Sequence, residues 1–283
     1  MLAYPVSKKP IDYSKPVFIQ PKLDGVRCLI QRDNNPTNEY HPNYLKVQAF
    51  SRTGKLWKNI NHILENLVPF FDKHPNVVLD GELYNHDFKD DFESIISMVR
   101  KTKPTDIDRL ISRENVQFHC YDIVDKRRKF STRNEWIRKK LPKSYCVKHL
   151  TTYTVESDVT AKLVHTQNLK DGYEGSIIRL DTPYQCKRSH SLVKFKDFSD
   201  AEATLLCWVE GKGKRKGTVG KFMAVDDDGN EFGMPVMDKF KYLQDNFRKM
   251  RGWVGKRATF TYFERTKAGS YRHPLFKAIR DYE

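Results

Sequence analysis

Apolar positions along this chain fall in short runs separated by polar turns, and their spacing predicts discrete strands and helices. Within Asn76–Tyr84 (NVVLDGELY), Val77, Val78 and Leu79 stand in succession, the pattern of a buried strand. Phe88, Phe92, Ile95, Ile96 and Val99 recur at helical spacing, which predicts an amphipathic helix over Asp87–Lys101. Thr132 and Glu135 fit a capping box that would open a helix carrying Trp136, Ile137 and Leu141. Val116–Val124, Ser176–Leu180 and Leu192–Phe198 read as further strands. The elements mix without a regular βαβ rhythm, so the expected class is α+β.

The polar stretch Asp197–Asp200 (DFSD) is a candidate junction. Beyond it Ala203–Glu210, Val219–Asp226, Glu231–Val236 and Arg257–Glu264 are strand-like. Between them a helix is predicted with Phe240, Leu243, Phe247 and Met250 on one face, begun by Asp238 and stopped near Gly252. Short strands with one intervening helix suit a small β-barrel of the OB type. The expected domains are therefore residues 1–197 and 198–283.

Composition narrows the class of protein. Among 283 residues, 51 Lys and Arg against 36 Asp and Glu give a net charge of +15. Residues 1–197 carry +10 of it and residues 198–283 carry +5, so both parts are basic. A long polyanion touching both, most simply nucleic acid, is the expected partner. Hydrophobic residues at 39% and aromatics at 12% exclude wholesale disorder. No apolar run approaches the ~18 residues of a membrane span. The opening MLAYPVSKKP has no apolar stretch behind its basic residues, so no secretory signal is expected. Cysteines 28, 120, 146, 186 and 207 form no CxxC pair and support neither a disulfide framework nor a structural zinc site. A cytoplasmic, monomeric protein without membrane attachment is expected.

The chemistry concentrates first in Pro21–Arg27, PKLDGVR, behind the apolar Val17, Phe18 and Ile19. A lysine amine becomes nucleophilic when desolvation or neighbouring positive charge removes its proton. Asp24 and Gly25 form a tight turn that exposes Lys22, and Arg27 can clamp anionic oxygen. Alone, this is equally a surface turn with salt-bridging groups. Downstream, however, stand Ser51–Gly54 (SRTG), Leu79–Tyr84 (LDGELY), Phe118–Asp122 (FHCYD), Glu174–Arg179 (EGSIIR) and Leu192–Lys196 (LVKFK). In this order and at these separations the set resembles the covalent nucleotidyltransferases. Among them it is most similar to the ATP-dependent DNA ligases in the minimal two-domain form of viruses, phages and some bacteria. The resemblance covers nearly the whole chain.

The resemblance implies a nucleotidyltransferase (adenylation) domain with antiparallel sheets and flanking helices, followed by an OB-fold barrel. It implies that Lys22 attacks the α-phosphate of ATP, expels pyrophosphate and carries AMP. Gln20 and nearby backbone would meet the adenine edge, and Tyr121 would stack on the ring. Arg27 and Arg52 would contact ribose or, later, the DNA 5′-phosphate. Glu82 would hold the ribose and, with Glu174, stand as a candidate metal ligand. Lys194 and Lys196 would neutralise charge on the α-phosphate. Carboxylates with few soft ligands favour Mg²⁺, with Mn²⁺ as a substitute, over zinc. The substrate would be nicked double-stranded DNA. Each residue also has an ordinary structural alternative: Glu82 and Glu174 as strand-end carboxylates, Lys194 and Lys196 as the outward positions of a strand, Tyr121 as core.

Gly211–Gly220 (GKGKRKGTVG) lacks the Walker A spacing, because no Gly-Lys-Ser/Thr sequence follows. Its cations Lys212, Lys214, Arg215 and Lys216 suit DNA phosphates better than a nucleotide cradle, or else decorate a solvated hairpin. Arg272–Arg280 (RHPLFKAIR) resembles the terminal element of short ligases without a clear R-x-D-K sequence, leaving Lys277 and Arg280 as candidates for that role. An mRNA capping guanylyltransferase shares the lysine chemistry, but its motif has Thr where this chain has Leu23. RNA ligases have different flanks, and NAD-dependent DNA ligases carry zinc ligands and extra modules that do not fit. A non-catalytic nucleic-acid-binding module would have no need of Lys22, Glu82, Glu174, Lys194 and Lys196 together.

Overall fold

Two five-stranded sheets, joined by the turn at Lys22–Gly25, frame the first part of the chain. In the computed structural model, residues 1–5, 10–33, 46–89, 91–196, 199–263, 265–266 and 269–280 are described. The first sheet has the order β1 (Leu2–Pro5), β10 (Arg188–Phe195), β9 (Ser176–Leu180), β2 (Val17–Pro21), β8 (Tyr153–Val155). The second runs β4 (Val47–Phe50), β3 (Val26–Arg32), β5 (Val78–Tyr84), β6 (Gln117–Ile123), β7 (Val147–His149). Pairing is antiparallel except β1 with β10 and β6 with β7. β2 belongs to one sheet and β3 to the other, so four residues carry the chain between them.

Helices cover each sheet. α1 (Asn61–Lys73) buries Ile63, Leu64, Leu67, Phe70 and Phe71 against Ile30, Leu79, Leu83 and Phe118 of the second sheet. α2 (Phe92–Val99), α3 (Asp106–Asn115) and α4 (Phe130–Lys140) complete that layer, while α5 (Asp158–Lys170) places Ala161 against Val17, Ile19, Ile178 and Val193 of the first. The structure divides into two compact units, Met1–Lys196 and Asp197–Glu283. Asp197 and Phe198, half of the expected junction, lie outside the described residues, as does Glu264 at the end of an expected strand.

In the second unit β11 (Ser199–Glu210), β12 (Val219–Val225), β13 (Glu231–Pro235), β14 (Arg257–Tyr262) and β15 (Leu275–Ile279) form an antiparallel sheet in the order β13-β12-β11-β14-β15. Leu205, Phe222, Met234, Leu243, Met250 and Phe260 fill its core. No helix among the described residues is long and apolar enough to cross a membrane.

Three local expectations are corrected. The helix over Asp87–Lys101 is split: Asn85 caps a 3₁₀ turn at His86–Phe88, and Asp91 then caps α2 through Ser94 N, so the first apolar position, Phe88, lies outside the α-helix. Thr132 and Glu135 do not form a capping box. α4 already begins at Phe130, and Glu135 instead pairs with Arg138 and Lys139 one turn on. The capping boxes stand at Thr105/Asp108 and Ser157/Thr160. The helix over Phe240–Met250 is two, α6 (Phe240–Asp245) and α7 (Phe247–Arg251), broken at Asn246. Asp238 does not cap it, since its carboxylate accepts from the Lys239 N–H ahead of the helix, and Phe240 is left exposed.

Candidate active site

Lys22 is positioned by backbone pairing with a distant loop. The N–H of Lys22 donates to the Gly175 carbonyl (2.9 Å), and the N–H of Glu174 donates to the Lys22 carbonyl (3.1 Å). Gly175 holds φ at +138°, and a Cβ there would lie 2.5 Å from the Phe195 carbonyl oxygen, so the loop closes only on glycine. The Glu174 carboxylate consequently meets two ammonium groups. One oxygen is in contact with Lys22 Nζ and the other accepts from Lys196 Nζ at 2.7 Å. Gly25 closes the other side: a Cβ would lie 2.5 Å from the Leu83 carbonyl oxygen and 2.7 Å from Glu82 Cγ. This contact presses the Lys22 turn onto β5, where Glu82 stands opposite Arg27 in the β3–β5 register. Four separated segments thus deliver Lys22, Glu82, Glu174 and Lys196 to one place.

The burial of these charges sets their protonation. Desolvation lowers the Lys22 pKa to about 8; Glu82 pulls the other way, and Lys196 and Lys194 reinforce the drop. Glu82 moves oppositely, pushed up to about 8 by burial despite the nearby Lys22 ammonium. Lys194 is lowered by burial and then by Lys196. A lysine and a carboxylate brought together in their titration ranges are suited to proton exchange near neutrality.

Gln20, Lys22, Arg27, Arg52, Glu82 and Tyr121 line one cavity of about 310 Å³, together with Met1, Asp80, Ile177 and Arg179. Arg52 is exposed at its rim, in the Ser51–Gly54 turn. Arg27 is held in a bidentate pair with Asp80 (2.9 Å for both bonds), and it also donates to the Met1 carbonyl and the Tyr184 hydroxyl. Gln20 has its carbonyl oxygen bonded by Arg179 Nε (2.6 Å) and its amide nitrogen directed to Thr152 Oγ1 (2.8 Å). Arg179 also donates to Asp122, lies over the Tyr121 ring at 5.2 Å, and shares Asp122 with Arg133. Sequence reasoning gave no role to Asp80, Asp122, Arg133, Arg179 or Tyr184. Three of these had a signal: Asp80, Asp122 and Arg179 stand inside the LDGELY, FHCYD and EGSIIR segments.

In the second unit the basic loop folds through a 3₁₀ turn at Gly213–Arg215. Arg215 is drawn onto the sheet, donating to the Val236 carbonyl (2.8 Å), whereas Lys212, Lys214 and Lys216 are exposed. Lys277 and Arg280 pair with Asp200 and Glu202 of β11.

Among the described residues, no group of three or more His, Cys, Asp or Glu is assembled for a metal ion. The donor set fits an ion held by one or two carboxylates together with substrate phosphates and water, which is the habit of Mg²⁺. Glu174 would reach such an ion by giving up an ammonium partner.

A family model of the ATP dependent DNA ligase domain matches residues 1–196, and one of the DNA ligase OB-like domain matches residues 210–280. This chain belongs to the ATP-dependent DNA ligase family. A DNA ligase of African swine fever virus (isolate Pig/Kenya/KEN-50/1950) is 25% identical to this family member over 226 residues, 74% of the chain and 48% of the viral protein. The chain therefore spans about half the length of that relative. Among solved structures, one from a study of DNA binding with a minimal scaffold in Lig E DNA ligases superimposes with a TM-score of 0.75 at 23% identity, covering 99% of this chain and 98% of that one. The ATP-dependent DNA ligase of bacteriophage T7, in complex with ATP, gives 0.55 at 18% identity, covering 99% and 97%. These likenesses establish the shared ligase fold.

Proposed function

We propose that the chain seals nicks with a 5′-phosphate and a 3′-hydroxyl in duplex DNA, by way of a lysyl-AMP intermediate and a DNA-adenylate, as a monomer. The observation that carries this reading is Lys22: a largely desolvated amine with a lowered pKa, bordered by Glu174, Lys196 and Glu82, in a cavity also lined by Gln20, Arg27, Arg52 and Tyr121. Residues 1–197 serve as the adenylation domain and residues 198–283 as the OB-fold domain.

Neutral Lys22 Nζ attacks the α-phosphorus of ATP, forming a P–N bond as the bond to the β-phosphate oxygen breaks and pyrophosphate leaves. The proton released from Nζ has Glu174 in contact and Glu82 nearby to receive it. The DNA 5′-phosphate oxygen then attacks the same phosphorus and expels Lys22. In the last step the 3′-hydroxyl attacks the DNA phosphorus, closing the strand and releasing AMP. Such steps rest on positioning and charge more than on covalent help from other side chains. Lys194 and Lys196 supply positive charge at the α-phosphate, while Tyr121 and Gln20 form the adenine wall. Arg27 and Arg52 face the ribose and, later, the 5′-phosphate. Glu82 and Glu174 would hold Mg²⁺, which when bound screens the phosphate oxygens.

Incubation with ATP labelled at the α-phosphate, followed by denaturing electrophoresis, tests the reading. An acid-labile adduct is expected with ATP but not GTP, dependent on Lys22 and lost with a chelator. A GTP adduct would favour a capping guanylyltransferase instead, and no adduct with either would sink the ligase proposal.

A further inference from the structure

The positive charge of the first unit is concentrated on a surface to which no function has been given. Residues 126–148 hold ten Lys and Arg and a single acid, Glu135, so 23 residues supply +9 of the chain's net +15. Two of the arginines are engaged within the chain: Arg128, half-exposed, pairs with Asp125 at 2.6 Å, and Arg133, 1% exposed, forks onto Asp122. Arg138 and Lys139 share Glu135. Lys126, Arg127 and Lys129 are exposed before α4, and Lys139, Lys140 and Lys143 at and beyond its end.

Helix stability accounts for only half of this arrangement. Cations at a helix C-terminus complement the macrodipole, each contributing about 0.3–1 kcal/mol. Lys129 stands at the opposite end as the N-cap residue, where positive charge is unfavourable by the same rule, with Lys126 and Arg127 just ahead of it. Helix stability does not account for this end of the group, whose charge an external anion would offset. The eleven residues of α4 rise about 1.5 Å each, so the two cationic groups are separated by roughly 16 Å. A duplex carries one phosphate charge per ~1.7 Å of axis, and both groups can reach phosphates at once. Of the large apolar side chains between 126 and 148 only Tyr145 is exposed, whereas protein partners are usually anchored by clusters of aromatic or aliphatic groups.

We propose that the solvent face of α4 and its flanking turns binds the phosphate backbone of duplex DNA, as a contact surface separate from the basic loop of the second unit. This rests on the reading of the chain as a DNA ligase. The face is pre-organised, because the Arg133–Asp122–Arg179 bonds tie α4 to the wall of the adenylate cavity.

The test replaces Lys126, Arg127, Lys139, Lys140 and Lys143 with Gln in the full chain. Its control carries the same loss of charge elsewhere in the unit, at Lys46, Lys73, Lys103, Lys162 and Lys170. Binding of a nicked duplex is measured by fluorescence anisotropy over a salt series, and thermal melting verifies that both variants fold. A tenfold or greater loss of affinity is expected for the α4 variant alone, with the log–log salt slope flattened by up to about 4.5 units. Unchanged affinity and slope would overturn the proposal and leave the strip to an acidic protein. An equal loss in the control would also overturn it, because net charge rather than this face would then govern binding. Adenylation of the unmodified chain is followed separately. Its absence would refute the ligase reading, whereas the anisotropy series decides the α4 face either way.

Discussion

Replacing Lys196 with methionine should move the pH dependence of Lys22 adenylation upward. Burial, reinforced by Lys196, brings the Lys22 amine to about 8 from an ordinary 10.5. At pH 7.5 that leaves roughly a quarter of the amine neutral, against about one part in a thousand for an unperturbed lysine. Removing Lys196 acts twice in the same direction. A like charge disappears, and the Glu174 carboxylate, which Lys196 bonds at 2.7 Å, is left to Lys22 alone. A single neighbouring charge at this range shifts a partly buried group on the order of one unit, or about 1.4 kcal/mol. The midpoint should therefore rise to roughly 9, and the neutral fraction at pH 7.5 should fall about eightfold. The assay is single-turnover formation of the labelled adduct between pH 6 and 9.5. The rate should climb tenfold per unit below the midpoint and level off above it. Lys196 is also assigned to the α-phosphate, so the plateau should drop as well. The midpoint is unaffected by such a uniform loss. A midpoint that stays near 8, or moves down, would refute the electrostatic reasoning.

Further expectations concern single parts of the machinery. Lys22→Ala should abolish adduct formation yet still seal a nick that is already adenylated, and Lys22→Arg should fail equally because a guanidinium keeps its proton; an adduct on either protein would move the chemistry to another residue. Gly25→Ala should leave the chain folded by circular dichroism but cut adenylation sharply, since the new Cβ displaces Glu82 and the Lys22 turn; wild-type rates would show that the close approach is incidental. Converting Lys212, Lys214 and Lys216 to Ala should flatten the salt slope of nicked-DNA binding by at most about three units, whereas Arg215→Ala should leave the slope nearly unchanged because that side chain is spent on the Val236 carbonyl. His119 is lowered to about 4 by burial, so it contributes stability in full above pH 6.5 that is lost as pH falls toward 4. Urea midpoints at pH 7.5 and 5 should thus differ less for His119→Gln than for the unmodified chain.

Strands were the most legible part of the fold. β9 occupies the expected Ser176–Leu180, and β5, β6, β12, β13 and β14 lie within a few residues of their expected bounds. Such segments carry their own signal, because the positions a strand buries recur along it and are mostly apolar. Helices were harder for local reasons. α1 contains Pro69, which sequence rules place at breaks. α5 exposes Val159 and Leu163, which blurs its amphipathic face. Asn85 and Asp91 divided one apolar periodicity into a 3₁₀ turn and a shorter helix, since each side chain offers its own cap.

Within the site, sequence order identified the residues whose chemistry is local to a motif and overlooked those whose function is to hold others. Lys22 was conspicuous as a nucleophile candidate; the burial that lowers its pKa was not, nor was Lys196, which reinforces the drop from more than 150 residues away. The same is true of the buried ion pairs. Asp80 with Arg27, and Asp122 with Arg133 and Arg179, are three arginines and two carboxylates, of which Arg27, Asp80 and Arg179 line the cavity and Asp122 and Arg133 stand behind Arg179. Burying such groups is costly, and apolar replacements of similar volume can be as stable. Stability alone therefore does not explain them. What the pairs supply is direction: each guanidinium fork fixes a plane, and through Arg179 that plane sets the Gln20 amide and the Tyr121 ring. On the proposed reaction, a cavity that places one phosphorus in line with one amine gains more from fixed angles than from additional burial, since small errors of orientation cost large factors in rate.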